Sequence, residues 1–212
     1  MELDSYSETT SSFFTLDACN GEVAEKIIVA LSKKDSVIES EWEKLIEQND
    51  EINSRLRSQG IDNPSSRNSI SWDDAMILFT CSIVVNNQQR PIPLGEQLSK
   101  ERFGRFPWGN GSAIGYLIEF LRPNTRNSSK GEEYENMISL LNKLNSYCTV
   151  GPLGGEKYRL GKGGLSICGF LDKSEVFQLR NYLTGRVWSV SADEPLDGGV
   201  RDAIKHLVAI LK

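Results

Sequence analysis

The sequence predicts an α+β fold, predominantly helical, with a small sheet of about three strands near the C-terminus. Two observations carry that class. Apolar residues recur at helical spacing through most of the chain up to Tyr147, and beyond it the pattern shifts to short strand-like runs separated by glycines. Composition sets the scale: 212 residues, 39% apolar and 25% charged, are enough to bury a core without disulfides or a metal. The expected organisation is a flexible N-terminal tail over 1–19 and a single globular domain over 20–212. That domain divides into a helical pair 20–59, a linker 60–70 and a main body 71–212.

The tail is rich in Ser and Thr and has no periodic apolar pattern. From Asn20 the pattern turns helical. Asn20 can cap, Glu22 and Glu25 suit the first turn, and Val23, Ile27, Ala30 and Leu31 fall on one face. A second helix is expected from Asp35 or Ser36 to about Gln59, closed by Gly60. Its positions Ile38, Trp42, Leu45, Asn49, Ile52 and Leu56 are spaced 4, 3, 4, 3, 4, a heptad seam with one polar core site. Such a seam suits packing on the preceding helix; it also suits a homodimer through the Ile38–Leu56 helix.

Residues 60–69 (GIDNPSSRNS) are punctuated by Gly, Pro, Asn and Ser and read as the linker. Ser71 can cap a helix with Asp74 three residues on, and the AMILFTCSIVV that follows is apolar all round, as a buried helix would be. A loop-like stretch over 86–111 leads to a compact apolar helix from Ser112 to Leu121, ended by Pro123. Glu132–Tyr147 forms a further helix, with Tyr134, Met137, Ile138, Leu141 and Leu144 on one face. Strands are expected around Lys157–Leu160, Leu165–Leu171 and Arg186–Ser191. Between the last two, Asp172 opens a helix continued by Val176, Leu179 and Leu183. A final helix buries Val200, Ala203, Ile204, Leu207 and Leu211.

Charge narrows the function classes. The net charge is −5, and it is uneven: residues 1–60 carry 13 acids against 6 bases, residues 61–212 carry 16 against 18. An acidic chain argues against a general nucleic-acid binder, which presents a basic face. The N-terminus is acidic and polar, unlike a signal peptide, and the longest apolar run is too short to span a bilayer, so a cytoplasmic location without membrane contact is expected. Cys19, Cys81, Cys148 and Cys168 are widely spaced with no CxxC pair, and His206 is the lone histidine. That spacing suits buried free thiols in a reducing compartment; no metal is expected.

The glycine-rich stretch Gly151–Gly164 departs from a phosphate-binding loop at two defined positions. Gly163 stands where the hydroxyl of G-x-x-x-x-G-K-[ST] is required, and Glu156 stands at its first glycine. No cofactor is expected. Carboxylate pairs at Asp73/Asp74, Glu132/Glu133 and Asp193/Glu194 point about 100° apart on a helix and need not converge. His206 lies two residues from Ile204 and faces away from the apolar side of its helix.

The segment 90–110 carries the best binding signal. It interleaves Arg90, Arg102 and Arg105 with Phe103, Phe106 and Trp108, a combination that grips carboxylates, phosphates or aromatic faces. These six are the expected partner- or ligand-binding residues. The functional reading is a cytosolic protein-interaction module, regulatory, inhibitory or immunity-type, with a protein partner and no catalytic activity. The alternative is an enzyme or small-ligand binder with an anion site in the same loop, where Arg102, Arg105, Trp108 and Tyr158 hold an anion and Asp73 or Asp74 serves as acid or base.

Overall fold

A computed structural model describes residues 16–32, 36–66, 70, 74–88, 92, 113–125, 131–145, 167 and 169–212. Eight helices and two strands are described among them, in the order α1 (Gly21–Ser32), α2 (Ser36–Glu47), α3 (Asp50–Ser58), α4 (Asp74–Cys81), α5 (Ala113–Phe120), β1 (Leu121–Pro123), α6 (Gly131–Leu144), α7 (Lys173–Thr184), β2 (Trp188–Val190) and α8 (Gly199–Ile210). The helix-rich α+β class holds.

Helix ends follow local chemistry. The Asn20 side chain accepts from the Glu22 and Val23 amides, satisfying two donors that α1 leaves free at its start. Gly60, at φ +81°, closes α3. Its amide donates to Arg57 O and the Ile61 amide to Leu56 O, the paired reverse bonds of a Schellman turn. Asp172 and Glu175 form a capping box at the start of α7, each side chain accepting from the other's backbone amide.

The expected second helix is two helices. The chain breaks at Gln48–Asn49, where Asn49 leaves helical geometry at φ −130°, ψ 82°. Its side-chain amide donates to Leu45 O at 2.8 Å and takes up a carbonyl that α2 leaves free. This is the competition with the backbone that makes Asn a poor residue inside a helix. Four apolar members of the heptad seam nevertheless reach one core. Trp42, Leu45, Ile52 and Leu56 are all buried within the chain itself, against α1 and α4. A homodimer through the seam would have to draw on surface this core already uses.

The sheet is the second correction. Two strands are described instead of about three, paired antiparallel with Leu121 opposite Val190, Arg122 opposite Ser189 and Pro123 opposite Trp188. β2 falls within the expected Arg186–Ser191 run. The helix expected to end at Leu121 stops one residue earlier: α5 ends at Phe120, and Leu121, Arg122 and Pro123 form β1, paired with β2. The strand expected at Lys157–Leu160 lies outside the described residues. Of Leu165–Leu171, the described residues 167 and 169–171 adopt no strand.

Among the described residues, buried apolar side chains form two clusters. The first gathers Val23, Ile27, Trp42, Leu45, Ile46, Ile52, Leu56, Ile70, Ile77 and Cys81, from α1 to α4 and the segment between α3 and α4. The expected linker 60–70 contributes to it: Ile70 is buried, Ile61 packs on its edge, and the Trp42 indole donates to Pro64 O at 2.9 Å. The second cluster is built by α5–α8 with Leu121 and Val187. The two are cross-strapped. Leu16, from the N-terminal end, packs against the second cluster, and Ile167 packs against the first.

Candidate functional site

Arg90, Arg102, Phe103, Arg105, Phe106 and Trp108 lie outside the described residues, as do Asp73, Tyr158, Cys148, Cys168 and Gly151–Gly164. What the described residues present is a different surface with similar chemistry.

Among the described residues, three large hydrophobic side chains stand exposed: Ile83, Phe170 and Phe177. Two belong to α7 and the residues leading into it. The buried stripe of α7 runs through Leu179 and Leu183, and Phe177, two residues before Leu179, points about 200° away from it. Its ring is 61% exposed. Lys173 one turn before, and Arg180 and Asn181 one turn after, share its face by helical spacing. Lys173 and Asn181 are exposed and Arg180 half-buried. The only acidic residue within α7 is Glu175, and it is engaged elsewhere. Both of its carboxylate oxygens accept from Lys143 of α6, at 2.6 and 2.7 Å. The Lys143 ammonium also lies 5.1 Å from the centre of the Phe170 ring, a cation–π contact. The exposed face of α7 is thereby aromatic and basic.

The sequence marked Val176, Leu179 and Leu183 as the helix stripe and passed over the aromatic between them. An aromatic off the buried stripe of an amphipathic helix was the available signal.

The other reactive groups are accounted for structurally. Glu132 and Glu133 are exposed in the first turn of α6, where acids favour the helix dipole. Glu194 accepts from the Tyr116 hydroxyl at 3.1 Å and from the Val200 amide at 2.5 Å. It takes the place of the capping side chain that Gly198, the N-cap of α8, lacks. Burial, then the Glu194 contact, pushes the Tyr116 phenol up to about 12. A side chain at Gly199 would crowd both groups, its Cβ meeting Tyr116 OH at 3.1 Å and Glu194 Oε1 at 3.2 Å. His206 is exposed on α8, in keeping with its expected orientation. Asp202, one turn earlier, is held below the usual carboxylate range, chiefly by its hydrogen bond from Lys205.

Arg55 has the most enclosed of the described charges. Its Nη1 donates to Phe79 O, Thr80 O and Ser82 O, at 3.2, 3.3 and 2.5 Å, and so caps the C-terminal end of α4 with a cation. Its Nη2 meets Glu51 at 2.9 Å. Among the described residues, no group of three or more His, Cys, Asp and Glu side chains could hold a metal ion, and no helix is long and apolar enough to cross a membrane.

No protein family, curated protein or solved structure matches this chain.

Proposed function

We propose that the protein is a cytoplasmic protein-interaction module that works by surface recognition. The observation that carries the reading is Phe177, a large aromatic left 61% exposed on a well-capped helix. Leaving such a ring in water forgoes roughly 1.5–3 kcal/mol of burial, which a partner can recover. Exposed aromatics and arginines on one rigid element are the residue types that dominate binding energy in protein interfaces. The Lys143–Glu175 pair and the capping box fix the start of α7, so the surface is presented without ordering cost.

The test is capture of partners from the native host with the intact protein and with Phe177→Ser. The wild type retains a discrete partner that Phe177→Ser loses, while the thermal stability of the variant stays within about 0.5 kcal/mol of the parent, the usual range for a surface change. Equal capture by both proteins removes α7 from the binding surface. Retention of no partner, together with a small molecule that shifts thermal stability strongly, overturns the reading in favour of a ligand-binding protein.

A further inference from the structure

Two cysteines that sequence spacing leaves 62 positions apart meet where the chain leading into α1 crosses the end of α4. We propose that Cys19 and Cys81 are a redox pair that closes to a disulfide on exposure to a peroxide, stapling the segment before α1 to the last turn of α4. The inference is independent of the interaction reading.

The backbone register brings the two together. Cys19 and Ser82 are opposite one another in an antiparallel bridge. The bridge is flanked by Asn20 N donating to Cys81 O at 2.8 Å and Ile83 N donating to Ala18 O at 2.9 Å. Those bonds lie outside the pair, which defines the narrow position of an antiparallel ladder, with Cα atoms about 4.5 Å apart. Cys81 is one residue from Ser82. It therefore lies nearer Cys19 than the roughly 7–8 Å of the two-residue diagonal, and disulfides close with Cα atoms about 4.4–6.8 Å apart. In an extended strand its side chain would point to the opposite side. Here Ser82 N still donates to Leu78 O, so Cys81 belongs to the last turn of α4 and its Cβ is turned by about 100° from its neighbour's, not 180°.

Access orders the chemistry. Cys19 is exposed as a residue although its thiol is partly enclosed, whereas Cys81 is buried throughout. Peroxide oxidises the Cys19 thiol to a sulfenic acid, its O–O bond breaking and one water leaving. The Cys81 sulfur then attacks the Cys19 sulfur and displaces the hydroxyl as a second water, so the two thiols together lose two protons and two electrons to the peroxide. Burial, with Asp17 adding to it, pushes the Cys19 thiol up to about 11. Burial pushes Cys81 up to about 12, with Cys19 adding to the rise and Arg55 opposing it. The thiolate is the nucleophile, so closure is slow at neutral pH and speeds about tenfold per pH unit between roughly 7 and 9.

The experiment treats the intact wild-type chain with hydrogen peroxide at about pH 8.5, followed by mass measurement and non-reducing tryptic mapping. The expected product is about 2 Da lighter, has the peptide carrying Cys19 joined to the one carrying Cys81, and reverts with dithiothreitol. It also melts at a higher temperature, since the link closes a long loop in the unfolded chain. Cys81→Ser leaves Cys19 to gain about 16 or 32 Da instead. Three outcomes overturn the proposal: wild-type Cys19 accumulating as a sulfinic acid without the link, Cys19 joining Cys148 or Cys168 in preference, or neither thiol reacting. Mapping of the wild type decides the matter even if the variant does not fold.

Discussion

Four of the described groups are held protonated by their surroundings: Cys19, Cys81, Tyr116 and Tyr134. Cys19, Cys81 and Tyr116 are pushed up to about 11, 12 and 12, with burial the largest cause in each case. A thiol or phenol whose folded value is raised binds its proton more tightly folded than unfolded. Its contribution to stability is complete below the unfolded value, near 9 for a thiol and 10 for a phenol, and is lost as pH rises through the folded value. Under reducing conditions, stability measured by urea denaturation should therefore fall steadily from about pH 9 to 11. Cys19→Ser with Cys81→Ser should flatten the first part of that fall. A stability curve rising across the same window would contradict the burial of these groups. Nothing in the sequence reveals these shifts, because the segments involved meet only after folding: Cys19 meets Cys81, and Tyr116 meets a carboxylate 78 positions away.

At the level of single elements, α4 depends on a cap from outside itself. The Arg55 guanidinium reaches carbonyls 24, 25 and 27 positions along the chain. Replacing Arg55 by Met keeps most of the buried stem but leaves those carbonyls without their cation. The expected cost is about 2–4 kcal/mol in chemical denaturation. Arg55→Lys should fall between, since an ammonium lacks the planar fork. Glu51 itself is exposed and its carboxylate well solvated, so Glu51→Gln should change stability by no more than about 0.5 kcal/mol. An Arg55→Met protein as stable as the parent would show that the cap is incidental.

This arrangement also marks where sequence reading reached its limit. Signals that act within a few residues were legible: the Asn20 cap, Gly60 closing α3, and the capping pattern at Asp172. The helix break at Asn49 was written locally as well, but the heptad spacing across it concealed it, because both helices deliver their apolar residues to the same core. β1 left no comparable trace. It is three residues long, follows α5 directly, and exists only because β2 lies beside it. Arg55 gives no signal in the sequence, since its acceptors are backbone carbonyls that no side-chain pattern reports.

Across the whole molecule, the aromatic–basic surface expected in the 90–110 segment lies outside the described residues, and a separate one is presented by α7. Both readings rest on the same physics: arginine or lysine beside an aromatic makes a sticky and selective surface. On α7 the surface gains a rigid support. The second cluster buries Leu179 and Leu183 behind it, and the α6–α7 ion pair fixes its first turn. The first cluster carries a contrasting exterior, with Glu41, Glu43, Glu47, Asp50 and Glu51 exposed on α2 and α3. α2 and α3 thus offer an acidic face, whereas the exposed face of α7 joins Lys173 and Arg180 to Phe177.

Hydroxyl-radical footprinting of the protein, alone and bound to the partner it captures, tests the central claim most directly. Binding through α7 predicts that Phe177 loses most of its labelling in the complex, with Phe170 reduced beside it, while side chains on α2 and α3 label as before. Phe177 labelled equally in both states, with protection confined to α2 and α3, would contradict it.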